Sequence, residues 1–263
     1  MALTRSGNAD IWWESRGSGS PVLLINGLSS PSSVWFRLAP LLATDHRVLT
    51  FDNLGTGRSS TPDEQWSMAD MVAAAVAVIQ ASGETRVSVL GISMGGLIAQ
   101  ELTLGHPDLV AHLVLVATGA GMAHTTGDPE AAAAIRSAGS LPSDERLAFI
   151  LPFTYARETP QALMKEDEAV RALQPTSELA YQRQLAAVVP WDRLSDLATI
   201  GCPTLVLHGE QDRLISVASA EVLRDAIPGA QLTVLPRAGH QLFTDQPDAG
   251  SQAVLTFLKD STG

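Results

Sequence analysis

Short apolar runs alternate along the chain with longer segments in which apolar residues recur at helical spacing. Uninterrupted runs such as Leu113–Val116 are typical of strands buried on both faces, as in a parallel sheet that carries helices on each side. The pattern predicts strands over 11–14, 22–26, 48–52, 87–91, 113–117, 204–208 and 231–235. It predicts helices over 34–43, 67–81, 94–105, 218–227 and 246–259.

Strands and helices alternate in this order, which indicates an α/β fold with a mostly parallel, open sheet and helices on both faces. In such a fold the ligand site lies at the carboxyl ends of the strands. The interval 119–194 departs from the alternation, because it holds helix-type runs separated by prolines and no clear strand. We expect a core of residues 1–118 and 195–263 with a small helical cap, 119–194, inserted into it. An independent small domain is the alternative for this interval.

A serine flanked by glycines lies where a predicted strand meets a predicted helix, in Gly91-Ile92-Ser93-Met94-Gly95. A strand that turns sharply into a helix leaves no room for Cβ atoms beside the turn, so glycine is required on both sides of the serine. The turn exposes the hydroxyl at the end of the strand and directs the positive N-terminus of the helix toward it. The motif therefore predicts a nucleophile elbow at Ser93.

A serine hydroxyl is a weak nucleophile unless a base accepts its proton and an acid holds that base in place. The ends of the last two predicted strands supply both groups, since Asp212 follows one and His240 follows the other. The chain order Ser93, Asp212, His240 is the order of catalytic triads on α/β sheets of this kind. Glu210 is a competing acid, and His208 is a candidate for a supporting role behind the triad.

Two further motifs complete a resemblance to the α/β-hydrolase superfamily that extends over about residues 10–260. The segment 52–59, Asp-Asn-Leu-Gly-Thr-Gly-Arg-Ser, resembles the Asp-x-x-Gly-x-Gly-x-Ser turn of that family, in which the aspartate supports the turn rather than the triad. Asn26-Gly27-Leu28 takes the place of the family's His-Gly-x loop. The resemblance implies an oxyanion hole formed by the backbone N–H groups of Leu28 and Met94. Asn26 departs from the family's histidine, and we expect its side chain to hydrogen-bond there instead.

Acyl transfer through Ser93 is the chemistry that these residues favour, with a small to medium carboxylic ester or lactone as substrate and an acyl-enzyme as intermediate. The motifs are also similar to those of enol-lactone hydrolases and small bacterial carboxylesterases. Carbon–carbon bond hydrolysis of a vinylogous diketone and cofactor-free peroxidation would use the same triad. A ligand-binding or cyclising protein on this fold is an alternative of another class. The residues expected to line the substrate pocket are Asn26, Trp35, Phe153, Tyr155 and Trp191.

Composition narrows the range of partners. The 263 residues carry 17 basic and 28 acidic side chains, a formal net charge of −11, which disfavours nucleic acids and anionic membranes. Spacing suggests no metal site, the single Cys202 excludes an internal disulfide, and no cofactor is expected. No apolar leader follows Met1, and no apolar run approaches the roughly 20 residues that span a bilayer. We therefore expect a cytoplasmic enzyme that acts on a small-molecule acyl substrate, with its oligomeric state left open.

Overall fold

The computed structural model describes residues 1–260, apart from the side chains at positions 143, 144, 147 and 260. Eight strands form one sheet within these residues: β1 Ala2–Ser6, β2 Ala9–Arg16, β3 Ser20–Ile25, β4 His46–Phe51, β5 Val87–Ile92, β6 Val110–Val116, β7 Thr204–Gly209 and β8 Gln231–Leu235. Their order across the sheet is β1-β2-β4-β3-β5-β6-β7-β8. Strand β2 is antiparallel to both its neighbours, and the remaining pairs are parallel. The predicted α/β class with a mostly parallel sheet is confirmed.

The sequence pattern missed strand β1. Its five residues contain one large apolar side chain, Leu3, which is 61% exposed, so the segment has no buried face to leave a hydrophobic signal. The strand is held by its antiparallel register with β2, which depends on backbone hydrogen bonds rather than on side-chain type. Apolar periodicity in the sequence therefore does not predict an edge strand of this kind.

Ten α-helices accompany the sheet in the described residues: α1 Ala39–Leu42, α2 Met68–Ser82, α3 Met94–Gly105, α4 Pro129–Ala138, α5 Ser143–Ile150, α6 Gln161–Ala172, α7 Glu178–Val188, α8 Val217–Ala226, α9 Leu242–Asp245 and α10 Pro247–Asp260. The single helix predicted over 34–43 is wrong. The chain forms a 3-10 turn, Ser32–Phe36, and then α1, because Pro40 is tolerated only in the first turn of a helix. None of the helices within residues 1–260 has both the length and the apolar character needed to cross a membrane.

Both faces of the sheet are buried. Alternate residues of a strand point to opposite faces, so Leu23 and Ile25 pack with helices α2, α3 and α8 in one apolar cluster. Val22 and Leu24 belong to a second cluster, on the other face, with α1 and α10. This double burial explains why the central strands are continuous apolar runs in the sequence. It also makes the sheet a rigid base for the loops at its carboxyl edge.

Residues 119–194, called here the inserted segment, connect β6 to β7 and contain helices α4 to α7. Its two ends meet in an antiparallel bridge between Gly121 and Asp192. The fully buried Gln184 of α7 binds the core: its Oε1 accepts from Ser29 N at 2.8 Å, and its Nε2 donates to Leu54 O at 2.9 Å and to Thr56 Oγ1 at 2.8 Å. The inserted segment thus lies against the loops that follow β3 and β4.

Candidate active site

Strand β5 ends at Ile92 and helix α3 begins at Met94, so that a single residue, Ser93, makes the whole turn. Its φ of 56° and ψ of −121° are a conformation that L-residues rarely adopt. A Cβ atom at Gly91 would lie 2.2 Å from Gly95 O, and one at Gly95 would lie 2.2 Å from Ile25 O. The two glycines therefore permit the strained turn that the sequence predicted.

The two other residues of the predicted triad are bonded to each other. His240 follows β8 and Asp212 follows β7, and the distance from His240 Nδ1 to Asp212 Oδ2 is 2.7 Å. A carboxylate can only accept a hydrogen bond, so Nδ1 carries the proton and Nε2 is left as an acceptor. Ser93 and His240 both line the same cavity. The structure therefore brings the hydroxyl, the imidazole and the carboxylate into one site.

Asp212 is buried and held on both of its oxygens. Its Oδ1 accepts from Leu214 N at 2.9 Å and from Ile215 N at 3.0 Å. Burial is the largest single influence and raises the pKa of Asp212, but the charges and hydrogen bonds of His240 and His208 outweigh it. The net result is that the pKa of Asp212 falls from 3.8 to about 2. The side chain is therefore an ionised acceptor for His240 at neutral pH.

A second histidine lies behind the acid. His208 Nε2 is 3.4 Å from Asp212 Oδ2 and donates a hydrogen bond of 2.8 Å to Ile215 O. The side chain of His208 is fully buried, and its Nδ1 has no partner within the described residues. His208 thus contacts the acid and is not part of the cavity wall, which fits the supporting position that the sequence suggested for it.

Asp245, a half-buried carboxylate that the sequence pattern did not reveal, braces the loop of His240. Asp245 accepts from Gly239 N at 2.6 Å, from Ala156 N at 3.2 Å and from Thr159 Oγ1 at 2.6 Å. Burial, opposed by these hydrogen bonds, raises the pKa of Asp245. Because Ala156 and Thr159 belong to the inserted segment, Asp245 ties that segment to the residue immediately before His240.

The loop after β3 lies directly beside the serine. A Cβ atom at Gly27 would lie 3.2 Å from Ser93 Cβ. Asn26 is fully buried below this loop, with its Nδ2 3.4 Å from Phe51 O, and its own carbonyl accepts from Asn53 Nδ2 at 3.1 Å. Asn26 therefore fastens the loop to the end of β4 by a hydrogen bond, as the sequence suggested.

The amide groups predicted to form the oxyanion hole are unengaged. Met94 is the first residue of α3, so its N–H has no acceptor within the helix. In the part of the chain that the structure describes, neither this N–H nor that of Leu28 donates to another protein group. The Met94 amide follows Ser93 in the chain, and the Leu28 amide follows Gly27, which lies against Ser93. Both amides remain available to an oxygen atom of a ligand.

The cavity at Ser93 has a volume of about 340 Å³. Of the predicted site residues other than the triad, Leu28, Trp35 and Tyr155 belong to its wall. Three pocket predictions are wrong, because Asn26, Phe153 and Trp191 are absent from that wall.

Each of these three side chains is engaged elsewhere. Asn26 supports the loop from below, as described. Trp191 packs in the core, where its Nε1 donates to Glu101 Oε2 at 2.8 Å. The ring of Phe153 lies under the guanidinium of Arg213, at 4.7 Å. Large aromatic side chains of the inserted segment therefore pack in structural positions as well as in the pocket wall.

Two other carboxylates that follow core strands, those of Asp52 and Glu210, bind groups other than His240. Asp52 accepts from Ser32 N at 2.7 Å and from Arg58 N at 2.9 Å, so it supports the turn that follows β4. Glu210 is exposed and accepts from Arg237 N at 3.3 Å. Neither carboxylate reaches His240, which leaves Asp212 as its acidic partner among the described residues.

The fold, the elbow and the site define a hydrolase on an open α/β sheet. A family model described as the alpha/beta hydrolase family matches residues 22–253, and the chain belongs to that family.

Individual relatives are consistent with this assignment. The chain is similar to a poly(3-hydroxyalkanoate) depolymerase of Ectopseudomonas oleovorans, with 29% identity over 243 residues, 91% of this chain and 84% of that protein. It is similar in structure to the esterase EaEST from Exiguobacterium antarcticum, with 25% identity and a TM-score of 0.85 over 98% of each chain. The enol-lactonase from Burkholderia xenovorans LB400 shares the fold, with a TM-score of 0.89 at 22% identity over 98% of this chain and 100% of that one.

Proposed function

We propose that this hydrolase cleaves a small to medium carboxylic ester or lactone through an acyl-enzyme on Ser93. The observation that carries the proposal is the 2.7 Å bond between His240 Nδ1 and Asp212 Oδ2, formed at the wall of the cavity that Ser93 lines. The similarity to an esterase supports an ester as the bond that is cleaved.

The reaction begins when His240 Nε2 accepts the proton of the Ser93 hydroxyl and Oγ attacks the carbonyl carbon. The negative charge that forms on the carbonyl oxygen is stabilised by the N–H groups of Leu28 and Met94, and losing one such donor costs about 3 kcal/mol in a typical serine enzyme. His240 then passes its proton to the leaving alkoxide as the carbon–oxygen bond breaks. Asp212, ionised and buried, stabilises the imidazolium that exists between these two proton transfers.

Hydrolysis of the acyl-enzyme repeats these proton transfers with water as the nucleophile. His240 Nε2 accepts a proton from a water molecule, the hydroxide attacks the acyl carbon, and the bond to Ser93 Oγ breaks as the serine recovers its proton. With a lactone, the alcohol and the acid leave as one molecule. The inserted segment supplies part of the cavity wall and so sets which acyl groups reach Ser93.

Removal of the nucleophile tests the proposal. Ser93→Ala should abolish turnover of p-nitrophenyl butyrate, and a fluorophosphonate should label wild type once, at Ser93. Ser88→Ala is the matched control, because Ser88 lies on the same strand and its Oγ is 2.9 Å from His112 Nδ1, yet it lies outside the cavity wall. The control should keep both activity and label. Turnover by Ser93→Ala close to that of wild type would show that another group is the nucleophile.

A further inference from the structure

Three arginines line the cavity at Ser93, and they differ in what binds them. Arg37 is paired with acidic side chains, since its Nη2 is 2.9 Å from Glu166 Oε2 and 3.1 Å from Asp167 Oδ1. Arg146 is bound by backbone instead: its guanidinium donates to three carbonyl oxygens and stacks at 4.4 Å on the ring of Tyr181. Arg37 thus joins the core to the inserted segment, and Arg146 holds parts of the inserted segment to each other.

Arg171, near the end of helix α6, is different. It is half-buried at the cavity wall, and its Nη1 donates to Ser30 Oγ at 2.6 Å. No carboxylate lies within 4.0 Å of its guanidinium among the residues that the structure describes. A guanidinium has five N–H groups and stays charged at every physiological pH, so most of its donors are left without a protein acceptor.

The neighbouring carboxylate of Asp167 is already committed to other donors. Asp167 lies one helical turn before Arg171, but its Oδ1 accepts from Arg37. Its Oδ2 accepts from Tyr155 Oη at 3.0 Å and from Thr244 Oγ1 at 2.6 Å. Burial lowers the pKa of Arg171, while Tyr155 and Asp167 act in the opposite direction. A charge taken partly out of water without a partner is unfavourable, and an anion in the cavity would compensate for it.

Arg171 is linked through Ser30 to the loop that lies beside Ser93. Ser30, which accepts from Arg171, itself donates to Leu28 O at 3.2 Å. The guanidinium is therefore connected by one side chain to the loop whose Leu28 amide is proposed to bind the oxyanion. A ligand that reached from Ser93 to Arg171 would extend across the wall of this single cavity.

We propose that Arg171 binds a carboxylate of the substrate, so that the preferred esters or lactones carry a free carboxylate in addition to the acyl group that is cleaved. The inference rests on the proposed hydrolysis at Ser93 for its catalytic meaning. A guanidinium matches a carboxylate with two parallel hydrogen bonds, which a neutral group of the same shape cannot reproduce. The overall charge of −11 repels anions at long range, and a local cation in the cavity would offset this repulsion.

The test compares two esters of the same shape that differ in charge, monoethyl adipate and its neutral amide analogue ethyl adipamate. Wild type should prefer the anion by about 10- to 100-fold in kcat/KM, the effect expected of a hydrogen-bonded charge pair. Arg171→Gln should bring this ratio close to one, mainly through KM, and Arg171→Lys should retain part of it. The control is Arg136→Gln, which removes an exposed positive charge from helix α4, and it should keep the wild-type ratio.

Equal kcat/KM for the two esters in wild type, or an unchanged ratio in Arg171→Gln, would overturn the proposal. A binding measurement separates this result from a failure of the hydrolytic function. Calorimetric titration of wild type with adipate and with adipamide should show tighter binding of adipate, and Arg171→Gln should lose the difference. If neither ester is cleaved but adipate is bound through Arg171, the carboxylate site stands and the hydrolysis proposal falls. If adipate binds no better than adipamide, the carboxylate site is refuted, whichever ester is cleaved.

Discussion

Replacement of Asp212 by asparagine tests whether an ionised carboxylate stabilises the site. The pKa of Asp212 is lowered from 3.8 to about 2, because His240 and His208 outweigh the opposing effect of burial. Each pKa unit corresponds to about 1.4 kcal/mol, so ionisation of Asp212 contributes about 2 kcal/mol to the free energy of unfolding at pH 7. The pKa of Asp212 is lower in the folded state than in the unfolded state, so this stabilisation is complete at pH values above the unfolded pKa. It is lost as the pH falls toward the folded pKa, and about half of it remains at pH 3.

Asp212→Asn should therefore unfold in urea with a free energy about 2 kcal/mol lower than wild type at pH 7, and the difference should shrink by about half at pH 3. The new amide nitrogen would face His240 Nδ1 and select the wrong tautomer of the imidazole, so turnover of p-nitrophenyl butyrate should fall about 10⁴-fold. Asp108→Asn removes an exposed carboxylate from the turn before β6 and is the control for net charge. A pH-independent stability difference, or turnover within tenfold of wild type, would refute the reasoning.

Two packing predictions concern the turn and the inserted segment. Gly95→Ala places a Cβ 2.2 Å from Ile25 O and should cost about 2 kcal/mol and most of the activity, whereas Gly105→Ala, with open space in the same helix, should be neutral or slightly stabilising. Gln184→Leu leaves the buried Leu54 O and Thr56 Oγ1 and the half-buried Ser29 N without their partner, and it should lower the free energy of unfolding by about 3 kcal/mol, measured in urea. Gln182→Leu, on the exposed side of the same helix, is its control. An equal loss of stability in a variant and its control, for the glycine pair or for the glutamine pair, would contradict the packing argument.

The sheet and the position of Ser93 could be predicted because their causes are local. Strands buried on both faces leave continuous apolar runs, and a strand that turns into a helix within one residue needs glycines at fixed spacing. The proximity of Asp212 to His240 follows from similar logic, since both residues come directly after neighbouring parallel strands. Strand β1 could not be predicted in this way, because none of its residues is buried and it leaves no apolar pattern in the sequence.

Contacts between the core and the inserted segment could not be predicted. Gln184 and Ser29 are 155 residues apart in the chain, and Arg171 and Ser30 are 141 apart, so no local spacing relates them. Asp245 was missed for a related reason: its partners come from two parts of the chain, and its role exists only in three dimensions. The three wrong pocket residues were chosen by size and type, although packing decides which way such side chains face.

The attachment of Gln184 has a consequence for attempts to give this enzyme the specificity of a relative. Gly121 and Asp192 make a natural pair of junctions, and a foreign segment could be grafted between them. The graft would, however, remove the acceptor that orients the Ser29 amide, one residue after Leu28, together with the groups that brace the His240 loop through Asp245. The segment that supplies part of the cavity wall therefore also holds the loops that carry the proposed catalytic groups. A successful chimera has to carry these anchoring residues across with the new pocket.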